Sequence, residues 1–116
     1  MTRLLIALAA LTATIHIASA APNGEIAAAC RDGRINAPKI LSFWKQQRVV
    51  RNLRGDADSV VVDVDSRRWR TIGHDAQVTI GVAAYCTIAK NGLGTAIVKG
   101  SDQEQLGSVV DGNFFQ

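Results

Sequence analysis

Histidine is scarce in this chain. There are two in 116 residues, His16 and His74, and the first falls in an N-terminal segment that reads as a leader. One histidine in the folded protein excludes a histidine-based zinc site and leaves no serine–histidine–aspartate set supported by spacing. Cysteine is as sparse: Cys30 and Cys86 have no C-x-x-C partner and no neighbouring histidine to make either a reactive thiolate. Asp56-x-Asp58 and Asp63-x-Asp65 are not a calcium loop, because the further ligands, the glycine turn and the distal glutamate are missing at the required spacing. Gly92-x-Gly94 opens a strand instead of joining a strand to a helix, so it is no phosphate loop. His74-Asp75 reads as a helix entry and not as an acid/base pair. No repeat, low-complexity tract or linker divides the chain. These absences point away from catalysis: no catalytic residue, metal site or cofactor is expected, and a small hydrolase stays only as a remainder.

What is present begins with export. Arg3, the apolar run Leu4–Ile17 and the small-residue site Ala18-Ser19-Ala20 have the order of a cleaved signal peptide over residues 1–20. The run is short for a transmembrane anchor. The sequence around Cys30, Ala27-Ala28-Ala29, does not suit a lipoprotein either. Residues 21–116 then form a single small α+β domain of 96 residues, 116 less the 20 removed, with one modest core. The leader takes only Arg3 from the 13 basic residues, leaving 12 against 10 acidic. That balance is too even to name a polyanion partner by itself, and no transmembrane segment follows the cleavage site. The destination is the periplasm or the cell exterior.

The segment Trp69–Gly94 is the organising stretch. It predicts a main core helix over Ala76–Lys90, capped by Asp75 and stopped at Asn91-Gly92. The same residues alternate from Val78 to Ile88 as a strand would, but a helix of that length is ordinary and such a strand is not. Trp69 stands at the helix entrance as a core anchor. Upstream, a short Ala-rich helix ends near Asp32-Gly33. A second helix, capped by Asn36 with Pro38 in its first turn, is expected from Ala37 to Arg54 and to stop at Gly55, with the start of extended structure at Val49-Val50 as the alternative. Ser59–Asp65 is the clearest strand, and Gly94–Lys99 with Gln105–Val110 reads as a hairpin. The expected architecture is N-terminal helices followed by β-α-β-β, a three-stranded antiparallel sheet with helices on one face.

Two features carry function or stability. Cys30 and Cys86, an even pair in an oxidising compartment, are expected to form a disulfide closing a loop of roughly 55 residues; two unpaired buried thiols are the alternative. Lys45, Arg48, Arg51 and Arg54 recur every third residue on the expected second helix, beside Trp44. That row is a possible binding surface for an acidic protein, phosphates or lipid head groups, or it is an ordinary solvated face. Arg67, Arg68 and Arg70 around Trp69 carry the same ambiguity.

Val62, Val64, Asp65, Trp69, Asp75, Gln77, Cys86, Leu106, Gly107 and Gly112 make a pattern, V-x-V-D then W, D-x-Q, C and L-G-S-V-V-D-G. It resembles small exported proteobacterial proteins of unknown function. The resemblance covers roughly the last 55 residues and implies a compact exported domain with no known activity, cofactor or catalytic residue. The reading is therefore an exported, non-enzymatic binding module for an unknown protein partner, reached through the basic helix or an edge of the sheet. The alternative is a polyanion or envelope-surface binder using the basic row.

Overall fold

A computed structural model describes residues 21–116; the signal peptide expected over residues 1–20 lies outside the described residues. The chain runs α1 (Gly24–Arg31), α2 (Ala37–Gln46), β1 (Val50–Gly55), β2 (Ser59–Val64), α3 (Ser66–Thr71), α4 (His74–Ile88), β3 (Thr95–Lys99), β4 (Gln105–Val110) and β5 (Asn113–Phe115). Asparagine side chains start the first two helices: Asn23 Oδ1 accepts from the Ile26 N–H and Asn36 Oδ1 from the Lys39 N–H, each at 3.2 Å. Asp65 does the same for α3 at 2.9 Å. These satisfy donors that the first turn leaves free.

The α+β class holds, but the sheet corrects the expectation of three antiparallel strands. It has five strands in the order β1-β2-β3-β4-β5 and is mixed. β2 and β3 are parallel, with Val60 opposite Ala96 and Val62 opposite Val98, and the other neighbours are antiparallel. The parallel pair follows from chain length. Helix α4 has 15 residues, a rise of about 22 Å, and six-residue β2 covers about 20 Å. The helix thus returns the chain to the end where β2 began, and the next strand must run beside β2 in the same direction.

A second correction falls in the N-terminal half. The helix expected over Ala37–Arg54 ends at Gln46. Arg48 turns the chain with φ of 64°, and residues 50–55 become the edge strand β1 paired to β2. Its register slips between Val50 and Asn52. This bulge at Arg51 puts both Val50 and Leu53 on the core side, so the strand carries its apolar residues three apart, as a helix would.

Helix α4 is the centre of the core. Ile80 through Tyr85 are six consecutive buried residues, which one apolar stripe does not explain. The helix lies between the sheet, from β2 to β5, and helices α1 and α2, so it is covered on opposite sides. Gly81 permits the close approach to the sheet: a Cβ there would stand 3.0 Å from Val109 Cγ2 and 3.2 Å from Phe114 Cε1. The expected cap and stop are displaced. Gly73 precedes the helix with no side-chain cap and Asp75 sits in the first turn, while Asn91 and Gly92 shape the turn after it. Tyr85 is fully buried and its hydroxyl donates to the Gly92 carbonyl at 2.7 Å. Burial holds that phenol above its ordinary pKa.

The β3–β4 turn is clasped to the start of α3. Ser66 Oγ donates to Glu104 Oε2 at 3.0 Å and accepts the Ser101 N–H at 2.7 Å, and the Ser66 N–H donates to Ser101 Oγ at 3.2 Å. Gly100 sits under this clasp, where any Cβ would overlap Ser66 Oγ and stand 2.7 Å from Glu104 Cδ. Gly100→Ala should therefore cost about 1–3 kcal/mol by overpacking. Chemical denaturation reads it, and unchanged stability would show the clasp to be slack.

Candidate functional site

The structure joins Cys30 and Cys86 in a disulfide with Cα atoms 5.4 Å apart, 56 residues apart in sequence. The bond staples α1 to α4 and is consistent with a location outside the cytoplasm. No helix among the described residues is long and apolar enough to cross a membrane. Among the same residues, no group of three or more His, Cys, Asp or Glu side chains is placed to hold a metal ion.

The four basic residues of the expected row do not share one helix. Lys45 is in the last turn of α2, Arg48 is in the turn after it, and Arg51 and Arg54 are on β1. Arg54 is engaged: its Nε and Nη2 donate to the two Asp63 oxygens at 2.7 and 2.9 Å. That pair lowers the Asp63 carboxyl below its usual pKa, the hydrogen bond being the main cause. Lys45, Arg48 and Arg51 are exposed, and none is in an ion pair among the described residues. They lie within seven residues at one corner, where α2 hands over to β1. Residues 33–55 hold six cations, Arg34, Lys39, Lys45, Arg48, Arg51 and Arg54, and no acid. Of the two neighbouring aspartates, Asp63 serves Arg54 and Asp65 caps α3. His74 is exposed at the start of α4 and lies edge-on to Phe114, ring centres 5.8 Å apart.

What the sequence reading missed is the groove beside these cations. Leu41, Ser42 and Lys45 of α2 face Val50, Asn52 and Leu53 of β1 across a hollow of about 310 Å³. A second hollow of about 330 Å³, lined by Arg51, Asn52, Asp63 and Ser101 among others, lies on the other side of the strand. Asn52 borders both, so β1 is approachable from two sides. β1 is an edge whose one sheet neighbour is β2, and among the described residues no other backbone hydrogen bond reaches residues 50–55. The alternate N–H and C=O groups facing away from β2 are thus open to solvent or to a partner.

A hollow of about 610 Å³ lies elsewhere, between Asp58, Ile88, Lys90, Leu93 and Asp111. One of its two carboxylates is committed to the fold: Asp111 Oδ1 accepts the Gly94 N–H at 2.9 Å. Ser66, a buried serine beside a carboxylate, commits its proton to Glu104 inside the clasp. No family model, no curated protein and no solved structure matches the chain.

Proposed function

We propose that the protein is an exported, non-enzymatic binding module whose contact surface is the α2–β1 corner, and that its partner is an acidic protein. The observation that carries the reading is the juxtaposition of three unpaired cations, Lys45, Arg48 and Arg51, with an open strand edge and an apolar groove. Cations held free on an acid-free stretch raise the local potential and favour an anionic surface. The groove and edge add short-range contacts that a bare polyanion does not need. Cleavage after Ala20 and delivery to the periplasm or cell exterior belong to this reading, supported by the disulfide. So does kinship with small exported proteobacterial proteins. The second reading, a polyanion or membrane-surface binder, rests on the same cations without the groove.

The triple variant Lys45→Gln/Arg48→Gln/Arg51→Gln should change stability by less than about 0.5 kcal/mol, since these charges are exposed and unpaired. It should lose the partners that wild type holds in a pull-down from envelope extract, while Arg67→Gln/Arg68→Gln on α3 keeps them. A protein interface weakens modestly between low and high salt, whereas phosphate binding weakens steeply. If the triple variant keeps every partner, the corner is not the contact surface.

A further inference from the structure

We propose that β1 accepts an extended, acidic peptide segment of a partner protein as a sixth strand. One apolar peptide side chain would enter the groove between α2 and β1, and the peptide carboxylates would lie against Lys45, Arg48 and Arg51. The inference rests on the reading of the α2–β1 corner as the contact surface and adds to it the mode of binding. Three observations converge on it. The outer backbone of β1 has no partner among the described residues, and strand addition supplies the missing hydrogen bonds. The groove is walled by Leu41, Val50 and Leu53, an apolar seat set directly beside that edge. Lys45, Arg48 and Arg51 at the same corner are exposed and in no ion pair among the described residues, and because side chains alternate along an added strand, one face of the peptide meets the groove.

Charge selects among occupants of the edge. A second copy of this chain pairing antiparallel through β1 would bring the arginines of both strands together, and like charges set opposite one another destabilise a pair. An acidic strand meets attraction at the same positions. The cations crowd the Val50 end of β1, because Lys45, Arg48 and Arg51 precede or begin the strand while Arg54 is held by Asp63. The peptide therefore carries its carboxylates toward that end. Six residues of β1 offer about 20 Å of edge, room for a segment of similar length.

The test uses the disulfide-intact protein and a capped heptapeptide alternating valine and glutamate, followed by fluorescence anisotropy. Two further peptides carry N-methyl groups on alternate amides, one in each register. In an added strand only alternate amides face β1. Methylation in one register should weaken binding by tenfold or more, and the other register should bind like the parent. The Lys45→Gln/Arg48→Gln/Arg51→Gln protein should bind all three peptides weakly, and a valine-free glutamate peptide should bind less well than the parent. Equal binding of both methylated peptides overturns strand addition while leaving the charged corner intact. Equal binding of the parent peptide by wild type and triple variant overturns the charged corner itself. Tighter binding of a sulfated polysaccharide than of the peptide, or no peptide binding at about 1 mM, the weak end of measurable affinity, also overturns the proposal. Peptide-free dimers in solution would transfer the edge to a second copy.

Discussion

Trp69→Ala should lower the melting temperature by at least about 12 °C, and at the upper end leave the domain unfolded at room temperature. Trp69 is 2% exposed and is the largest of the fully buried side chains. It sits on α3, the six-residue helix that turns the chain from the end of β2 toward α4, and its ring belongs to the cluster that includes Val62, Val64, Ile80 and Tyr85. Removing an indole from such a site costs about 3–5 kcal/mol, through lost transfer energy and an unfilled cavity. In a domain of this size each kcal/mol is worth about 4–8 °C. The backbone around it is tied as well: Gln77 Nε2 donates to the Trp69 carbonyl at 2.8 Å, and Gln77 Oε1 accepts from Gln116 Nε2 at 2.8 Å. A cavity beneath Trp69 thus loosens α3, the start of α4 and the last residue together. Trp69→Phe should cost much less, because a ring still fills part of the space. Thermal melts by circular dichroism decide it, and a full-stability Trp69→Ala would place the ring outside the core.

Breaking the disulfide should cost about 4 kcal/mol, since the closed loop is 56 residues long and the reduced unfolded chain regains the entropy of that loop. Cys30→Ser/Cys86→Ser removes the bond without leaving a reactive thiol. The loss should be greatest at α1, which is held otherwise by few ties. These include the Asn23 N–H to the Asp111 carbonyl at 2.8 Å and the Ile35 N–H to the Ala29 carbonyl at 3.1 Å. Hydrogen exchange in the variant should rise first over residues 24–31, before the sheet is affected. Mass spectrometry of the wild type after thiol alkylation should show no labelled cysteine until a reductant is added. Labelling of both thiols in the native protein, or equal melting temperatures with and without reductant, would contradict this account.

These two features were legible in the sequence because their signals are local and chemical. Two cysteines in a chain that reads as exported point to one another, and a tryptophan between a β-branched strand and an apolar helix has little choice but the core. The hairpin partners β3 and β4 were legible for a similar reason, since their alternation runs unbroken through Ala96 and Val98 and through Gly107 and Val109. Strand β1 was not. Its bulge shifts the alternation by one, so Val50 and Leu53 copy the spacing of a helix, and the cations between them copy a helical stripe. Only pairing with β2, a contact that sequence spacing does not encode, makes those residues extended. Strand β5 escaped because three residues carry no period. The parallel pairing of β2 and β3 was within reach, because a helix of that length between two strands returns the chain to its starting end.

The candidate site was legible as charge and illegible as shape. The acid-free basic stretch shows in the sequence, but which cations remain free does not: Arg54 is withdrawn by Asp63 from the neighbouring strand, nine residues away. The groove exists because α2 stops at Gln46 and the chain doubles back through Arg48, placing Leu41 and Lys45 across from Val50 and Leu53. Lys45, Arg48 and Arg51 thus stay exposed, but at a helix end, a turn and a strand edge instead of on one helix.

The most direct test of the central claim is an amide NMR titration of residues 21–116 with the alternating valine–glutamate peptide, which locates contact without assuming it. The account predicts shifts concentrated in the second half of α2, the Arg48 turn and β1, absent in the Lys45→Gln/Arg48→Gln/Arg51→Gln protein. Shifts centred on the open sheet face around Val61 and Ile97, on the hollow between Asp58 and Asp111, or unchanged in the triple variant would contradict it.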